Sequence, residues 1–104
     1  MEKVIRDGKV AVLYSPGFGA GWSTWSRGDY GNKVLFDPMI VQCVENYDFD
    51  KLNTYMTLWY PDMYLGGMDS LKIEWLPEGT LFRINEYDGA ESIEVKEKMD
   101  WMIA

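Results

Sequence analysis

The spacing of apolar residues changes twice along the chain, and each change predicts a different kind of element. β-prone residues at 3–5 and 10–14 lie on either side of Asp7-Gly8. An Asp-Gly pair between two such runs is a common hairpin turn, because both residues tolerate the positive φ angles that a tight turn needs. The N-terminal residues therefore predict two antiparallel strands.

Helical spacing replaces this pattern in the middle of the chain. Asp37 suits the N-cap of a short helix and Pro38 suits its first position. A second helix is predicted to begin at about Asp48 and to end before Pro61, which cannot continue it. Its apolar stripe has a period near 3.6 residues and consists of Phe49, Leu52, Tyr55, Met56 and Trp59.

Alternation returns in the C-terminal part. Residues 71–75 alternate between apolar and charged side chains, which is typical of a half-buried strand. Strands are also predicted at 80–87 and 91–96, joined by the hairpin signal Asp88-Gly89. Residues 100–103 are either a further short strand or irregular.

The resulting order, ββααβββ, predicts an α+β fold. Hairpin connections and clustered helices favour an antiparallel sheet of about five strands with two helices packed on one side. With 104 residues the chain is expected to form a single domain, 1–104. Its aromatic content of 15% supplies large side chains for a core.

The net charge of −7 argues against a broad basic surface for nucleic acid or an anionic membrane. It leaves room for a local basic pocket, or for an acidic face that binds a basic protein. No apolar run is long enough to span a bilayer, and the first residues do not resemble a signal peptide. A cytoplasmic location is therefore expected. The single cysteine, Cys43, allows no intramolecular disulfide and is predicted to be a buried apolar thiol.

The absence of histidine limits the available chemistry. Ser-His and Cys-His nucleophilic machinery is excluded, and a zinc site is disfavoured. Carboxylate chemistry remains, but no pair of carboxylates stands out as an acid and a base. We therefore predict a protein that is not an enzyme, with no catalytic residue, metal or cofactor. A carboxylate-dependent nucleotide hydrolase is the weakest alternative.

Residues 15–28 are too rich in glycine for a regular element and predict a loop. Its glycines let backbone N–H groups approach an anion closely. The dinucleotide fingerprint needs its third glycine one position later, where this chain has Trp22, and the P-loop lysine is also missing. The segment is either a tight turn with aromatic anchors or a binding loop of another kind.

Aromatic and hydroxyl side chains in this loop carry the binding hypothesis. Aromatic rings stack on nucleotide bases, while hydroxyls and arginine bind phosphate. The chain's own core or a partner protein would bury the same rings equally well. If the loop at 60–67 packs nearby, the two loops form walls of one pocket. The candidate ligand-binding residues are Gly17, Phe18, Gly19, Gly21, Trp22, Ser23, Thr24, Trp25, Arg27 and Arg83.

Arg83 is the candidate that lies within a predicted strand. It points to solvent, pairs with Glu74 or Glu86, or projects into the pocket, and pairing is favoured because a lone buried cation is costly. Acidic residues concentrate in the second half of the chain. They form either a solvated face or a decoy for a nucleic-acid-binding protein.

Several strings in the chain resemble a family of small phage and prophage proteins that have no assigned activity. They are Val10-Ala11-Val12-Leu13, Gly17-Phe18-Gly19-Ala20-Gly21-Trp22-Ser23-Thr24-Trp25, Leu35-Phe36-Asp37-Pro38, Tyr64-Leu65-Gly66-Gly67, Ile73-Glu74-Trp75, Pro77-Glu78-Gly79-Thr80, Phe82-Arg83-Ile84 and Glu86-Tyr87-Asp88-Gly89. The resemblance implies phage origin and a place in the host cytoplasm, and it assigns no catalytic residue. Small phage proteins of this kind often counter host defence.

The sequence therefore gives an expectation of a phage anti-defence protein that sequesters a nucleotide-like immune signal. The alternative is an inhibitor that binds a host defence protein through an acidic or aromatic surface. Direct nucleic-acid binding is not expected. A homo-oligomer is favoured, because small chains often build a ligand pocket at a subunit boundary.

Overall fold

The strands and helices follow the predicted order. The computed structural model describes residues 3–17, 22, 31–61, 67–87 and 89–95. The elements are β1 (Ile5–Arg6), β2 (Lys9–Tyr14), α1 (Pro38–Glu45), α2 (Phe49–Trp59), β3 (Lys72–Pro77), β4 (Phe82–Tyr87) and β5 (Ala90–Val95), with 3₁₀ helices at Gly31–Phe36 and Met68–Ser70. The predicted α+β class is confirmed. The further strand considered at 100–103 lies outside the described residues.

The strands form two antiparallel sheets, with the orders β1-β2-β3 and β4-β5, so the prediction of one five-stranded sheet is wrong. β2 pairs along its whole length with β3 on one edge, whereas the two-residue β1 pairs only with Lys9 and Val10 on the other. The second sheet hydrogen-bonds to this strand just beyond its last residue, at Ser15. The C=O of Ser15 accepts a hydrogen bond from the N–H of Glu91 at 2.8 Å.

Both predicted hairpins are present. Asp7 and Gly8 have φ angles of 52° and 75°, and the strands pair as Ile5 with Val10 and Arg6 with Lys9. Gly89, at φ 85°, turns the chain between β4 and β5. Such angles favour glycine, and they match the twist of the flanking strands.

The helix N-termini are capped as the sequence predicts. The Asp37 carboxylate accepts a hydrogen bond from the N–H of Met39 at 2.9 Å, and Pro38 is the first helical residue of α1. Asp48 caps α2 by accepting from the N–H of Lys51 at 3.2 Å. Each side chain supplies an acceptor to an amide that has no partner within its helix.

Both faces of β2 are buried, because the helices pack on one side of the first sheet and the second hairpin packs on the other. Ala11 and Leu13 share one face with Arg6, whose guanidinium binds Glu45 of α1 at 2.6 Å. Val10 and Val12 share the other face. There they line a shallow cavity of about 210 Å³ together with residues of the first 3₁₀ helix, β3 and β4: Phe36, Leu76 and Phe82. The core therefore has three layers.

The structure also tests two smaller predictions, one about Cys43 and one about Trp59. Cys43 is buried in α1 with a free thiol, as predicted, and burial raises the pKa of that thiol. Trp59, by contrast, belongs to the predicted apolar stripe of α2 but is exposed. Leu52 and Met56 of the same stripe are buried.

We expect Glu91→Ala to lower the free energy of unfolding by about 2 kcal/mol, because it leaves the buried N–H of Ser15 without an acceptor. Glu91 is only 2% exposed, and its Oε1 accepts that N–H at 2.9 Å. Glu94→Ala is the matched control, since Glu94 is an exposed glutamate in the same strand. Urea unfolding measures both. Equal losses for the two variants would contradict this role for Glu91.

Candidate functional site

The stems of the two predicted loops meet at a buried polar junction. The Ser15 hydroxyl donates to the C=O of Gly67 at 2.7 Å, and the Ser15 N–H donates to Glu91 at 2.9 Å. Ser15 is the first residue of the glycine-rich loop, and Gly67 ends the loop that was considered as a second wall. The structure thus brings together Ser15, Gly67 and Glu91, which we call the loop junction.

Most candidate ligand-binding residues lie outside the described part of the chain. They are Phe18, Gly19, Gly21, Ser23, Thr24, Trp25 and Arg27. Gly17 is described and is partly buried, two residues beyond Ser15 of the loop junction. The position of the loop's stem is therefore defined, while its binding role stays a prediction.

Trp22 is a core residue. Its side chain is fully buried and belongs to the same apolar cluster as Leu13, Ile40 and Met56. A ring in this position is not accessible for stacking on a base, in contrast to the expectation that it lines an open pocket. Of the three environments considered for the loop's rings, Trp22 occupies the chain's own core.

Arg83 lies on the outward face of β4 and forms an ion pair, although not with the glutamates considered from the sequence. Its Nε donates to Glu94 at 2.8 Å, and the amide of Asn85 donates to the same carboxylate at 2.7 Å. The strand register explains why Arg83 pairs with Glu94, because the two residues are directly opposite in the β4–β5 pair. Hydrogen bonding to Arg83 lowers the pKa of Glu94.

The same register separates Arg83 from the loop junction. Residues directly opposite in a β-pair share a face, and successive residues alternate. Glu91 therefore lies on the face of Ile84 and Ile93, and Arg83 lies on the other. Of the described candidates, Gly17 follows the junction residue Ser15 by two positions, and Arg83 lies on the opposite face of the second sheet.

A second feature was not predicted: the N-cap carboxylate of α1 also organises tyrosines. Asp37 is buried, and its Oδ2 accepts hydrogen bonds from the hydroxyls of Tyr55 at 2.8 Å and Tyr60 at 2.5 Å. Its other oxygen caps α1 through Met39. A buried carboxylate is stable only when its lone pairs find donors, and here three donors meet it.

These tyrosines support an exposed tryptophan. The ring of Tyr55 lies 6.3 Å from that of Trp59 and 6.2 Å from that of Tyr60, measured between centroids. Trp59 is nevertheless 66% exposed, and its neighbour Leu58 is exposed as well. We call Tyr55, Leu58 and Trp59 the α2 aromatic surface. The sequence places Trp59 in the apolar stripe of α2, but packing decides which residues of that stripe face solvent.

The titration of Tyr55 indicates a structural role. Burial, followed by the hydrogen bond to Asp37, raises the pKa of Tyr55 to about 12. A phenol that stays protonated at neutral pH remains a hydrogen-bond donor to Asp37 and does not act as a base. Within the described residues, no three acidic or cysteine side chains are grouped so as to hold a metal ion.

Comparison with protein-family models, curated proteins and solved structures finds no match for this chain. In the described part of the chain, no helix is both long enough and apolar enough to cross a membrane. The candidate sites are therefore inferred from the geometry of this chain and not from a relative.

The raised pKa of Tyr55 predicts a loss of stability at alkaline pH. The contribution of the protonated phenol is fully present below its unfolded pKa of 10.0 and is lost as the pH rises towards about 12. We expect the wild-type chain to exceed Tyr55→Phe in stability by a constant amount below pH 10, and by a decreasing amount above it. Urea unfolding across this range measures the difference. A difference independent of pH would contradict the assignment.

Proposed function

We propose that this chain is a non-enzymatic phage protein that inhibits a host defence protein by binding it through the α2 aromatic surface. The observation that carries the proposal is the exposure of Trp59 on a fixed support. Tryptophan and tyrosine dominate the energetics of protein interfaces. An anchor already held in place loses less conformational freedom on binding.

The support for Trp59 comes from the buried carboxylate beneath it. Asp37 holds the hydroxyls of Tyr55 and Tyr60, and the Tyr55 ring contacts Trp59. This arrangement restricts the indole while leaving most of its surface exposed. An apolar pocket on a partner would bury the indole and Leu58 together.

Charge favours a partner with a basic surface. The net charge of −7 attracts basic proteins over distance and speeds their encounter. Many host defence proteins that act on nucleic acids would present such a surface, since phosphate binding needs lysine and arginine. This agrees with the phage resemblance, which provides the expectation of an anti-defence role.

The use of the buried carboxylates supports a binding protein over a hydrolase. Asp37 accepts three hydrogen bonds, from Met39, Tyr55 and Tyr60. Glu91 accepts from the backbone of Ser15. Both acids therefore have structural partners, and general acid or base catalysis would need one of them to exchange protons with a substrate.

Capture of a nucleotide-like signal is a second candidate, and the loop junction favours it. The hydrogen bond from Ser15 to Gly67 sets the stems of the two predicted loops side by side. The proposed site consists of the part of the glycine-rich loop from Gly17 to Arg27, with Arg27 as the phosphate contact. Trp22 has no part in stacking under this proposal, because its ring is buried.

We expect Trp59→Ala to weaken the capture of a host protein by the tagged chain at least tenfold, because the substitution removes the central anchor. Tyr87→Ala is the matched control, since Tyr87 is a 74% exposed aromatic residue in β4, away from α2. Pull-down from host lysate followed by titration with the identified protein measures both. Equal capture by the two variants would exclude the α2 aromatic surface as the binding site.

The nucleotide candidate is tested by calorimetry against cyclic di- and trinucleotides and ADP-ribose derivatives. If a ligand binds in the loop, Arg27→Ala should weaken it about tenfold or more, since charge-assisted contacts to phosphate are among the stronger hydrogen bonds. Arg83→Ala is the matched control, because that guanidinium is held by Glu94 on the outward face of β4. No heat of binding at micromolar concentrations would end the proposal for these ligands.

A further inference from the structure

The outer edge of β3 carries backbone groups that no described residue binds. The N–H of Glu78 donates to the C=O of Gly8 at 2.9 Å, which fixes the phase of the β2–β3 ladder. Hydrogen-bonded and non-hydrogen-bonded pairs alternate in an antiparallel ladder. The backbone N–H and C=O groups of Lys72, Glu74 and Leu76 therefore point towards β2. The N–H and C=O groups of Ile73 and Trp75 point the other way, and within the described chain they have no partner.

We propose that the chain forms a symmetric dimer in which β3 pairs antiparallel with β3 of a second copy. The two three-stranded sheets would become one sheet of six strands. An open strand edge is a ready template for another strand, and a two-fold axis lets one edge satisfy itself. This inference goes beyond the proposed function and does not depend on it.

Charge complementarity selects the second copy and one register. With Ile73 opposite Ile73 of the second copy, Lys72 lies opposite Glu74, and the two-fold axis repeats this pair. Lys72 and Glu74 are both exposed on one face of β3, and neither has an ion pair among the described residues. Opposite charges directly across a strand pair are stabilising.

Other registers are disfavoured. A slide of two residues in one direction sets Glu74 against Glu74, and in the other direction it sets Lys72 against Lys72, so like charges meet in both cases. A slide of one residue places the apolar face of one strand beside the charged face of the other. A longer slide in the first direction sets Pro77, which has no N–H to donate, opposite Ile73. A longer slide in the other direction brings the 3₁₀ helix Met68–Ser70 into the pairing.

A groove beside the same edge fits the second copy. It has a volume of about 540 Å³, and its apolar lining comes from the end of α1, the turn into α2 and the start of β3: Val44, Tyr47, Phe49, Leu71 and Ile73. In the proposed register Trp75 of the second copy lies opposite Leu71, on the face of Ile73. A large aromatic side chain would therefore lie at the mouth of the groove on each side of the axis.

The test is sedimentation analysis of the full chain and its charge variants. We expect the wild type to dimerise, and Lys72→Glu and Glu74→Lys each to raise the dimer dissociation constant by about tenfold or more, because each sets like charges across both repeated pairs. The double variant Lys72→Glu/Glu74→Lys restores opposite charges and should dimerise again. A mixture of the two single variants should form a heterodimer for the same reason.

Three outcomes would overturn the proposal. They are a wild-type chain that stays monomeric at the concentrations used for nuclear magnetic resonance, a dimer that neither reversal weakens, and a double variant that remains as weak as the single ones. Circular dichroism checks that each variant is folded, which is expected because both side chains are exposed. Trp59→Ala, on the far end of α2, should leave the dimer unchanged and so separates this test from that of the proposed function.

Discussion

The position of β2 constrains everything else in this structure. β3 pairs with all six residues of β2 on one edge, β1 pairs with Lys9 and Val10 on the other, and both faces of β2 are buried. The second hairpin attaches at Ser15, where the Glu91 carboxylate replaces a carbonyl of the ladder. That attachment also brings Gly67 to the same point, so the described ends of the two predicted loops meet there.

Asp37 shows how one buried charge connects folding with the proposed binding surface. As an N-cap it begins α1, and as an acceptor for Tyr55 and Tyr60 it fixes the end of α2 against that helix. Three donors offset the cost of burying the carboxylate. The exposed ring of Trp59 lies against this arrangement, and the proposed function uses it as an anchor for a partner.

The two binding hypotheses differ in what they require of the aromatic residues. Capture of a nucleotide needs accessible rings in the glycine-rich loop, and Trp22, one of those rings, is fully buried. Binding of a protein needs an exposed, supported ring, and Trp59 is one. The paired arginine on β4 adds no free cation for phosphate, since Glu94 holds it. The balance of these observations favours a protein partner.

Local patterns in the sequence determined the elements, because hairpin turns and helix caps depend on residues only a few positions apart. Asp7-Gly8, Asp37 and Asp48 are where the sequence predicts them. Only the tertiary structure decided that five strands divide into two sheets, that Trp22 is buried and that Trp59 is exposed. These outcomes depend on which distant segments compete for the edges and faces of β2, and periodicity along the chain does not report that competition.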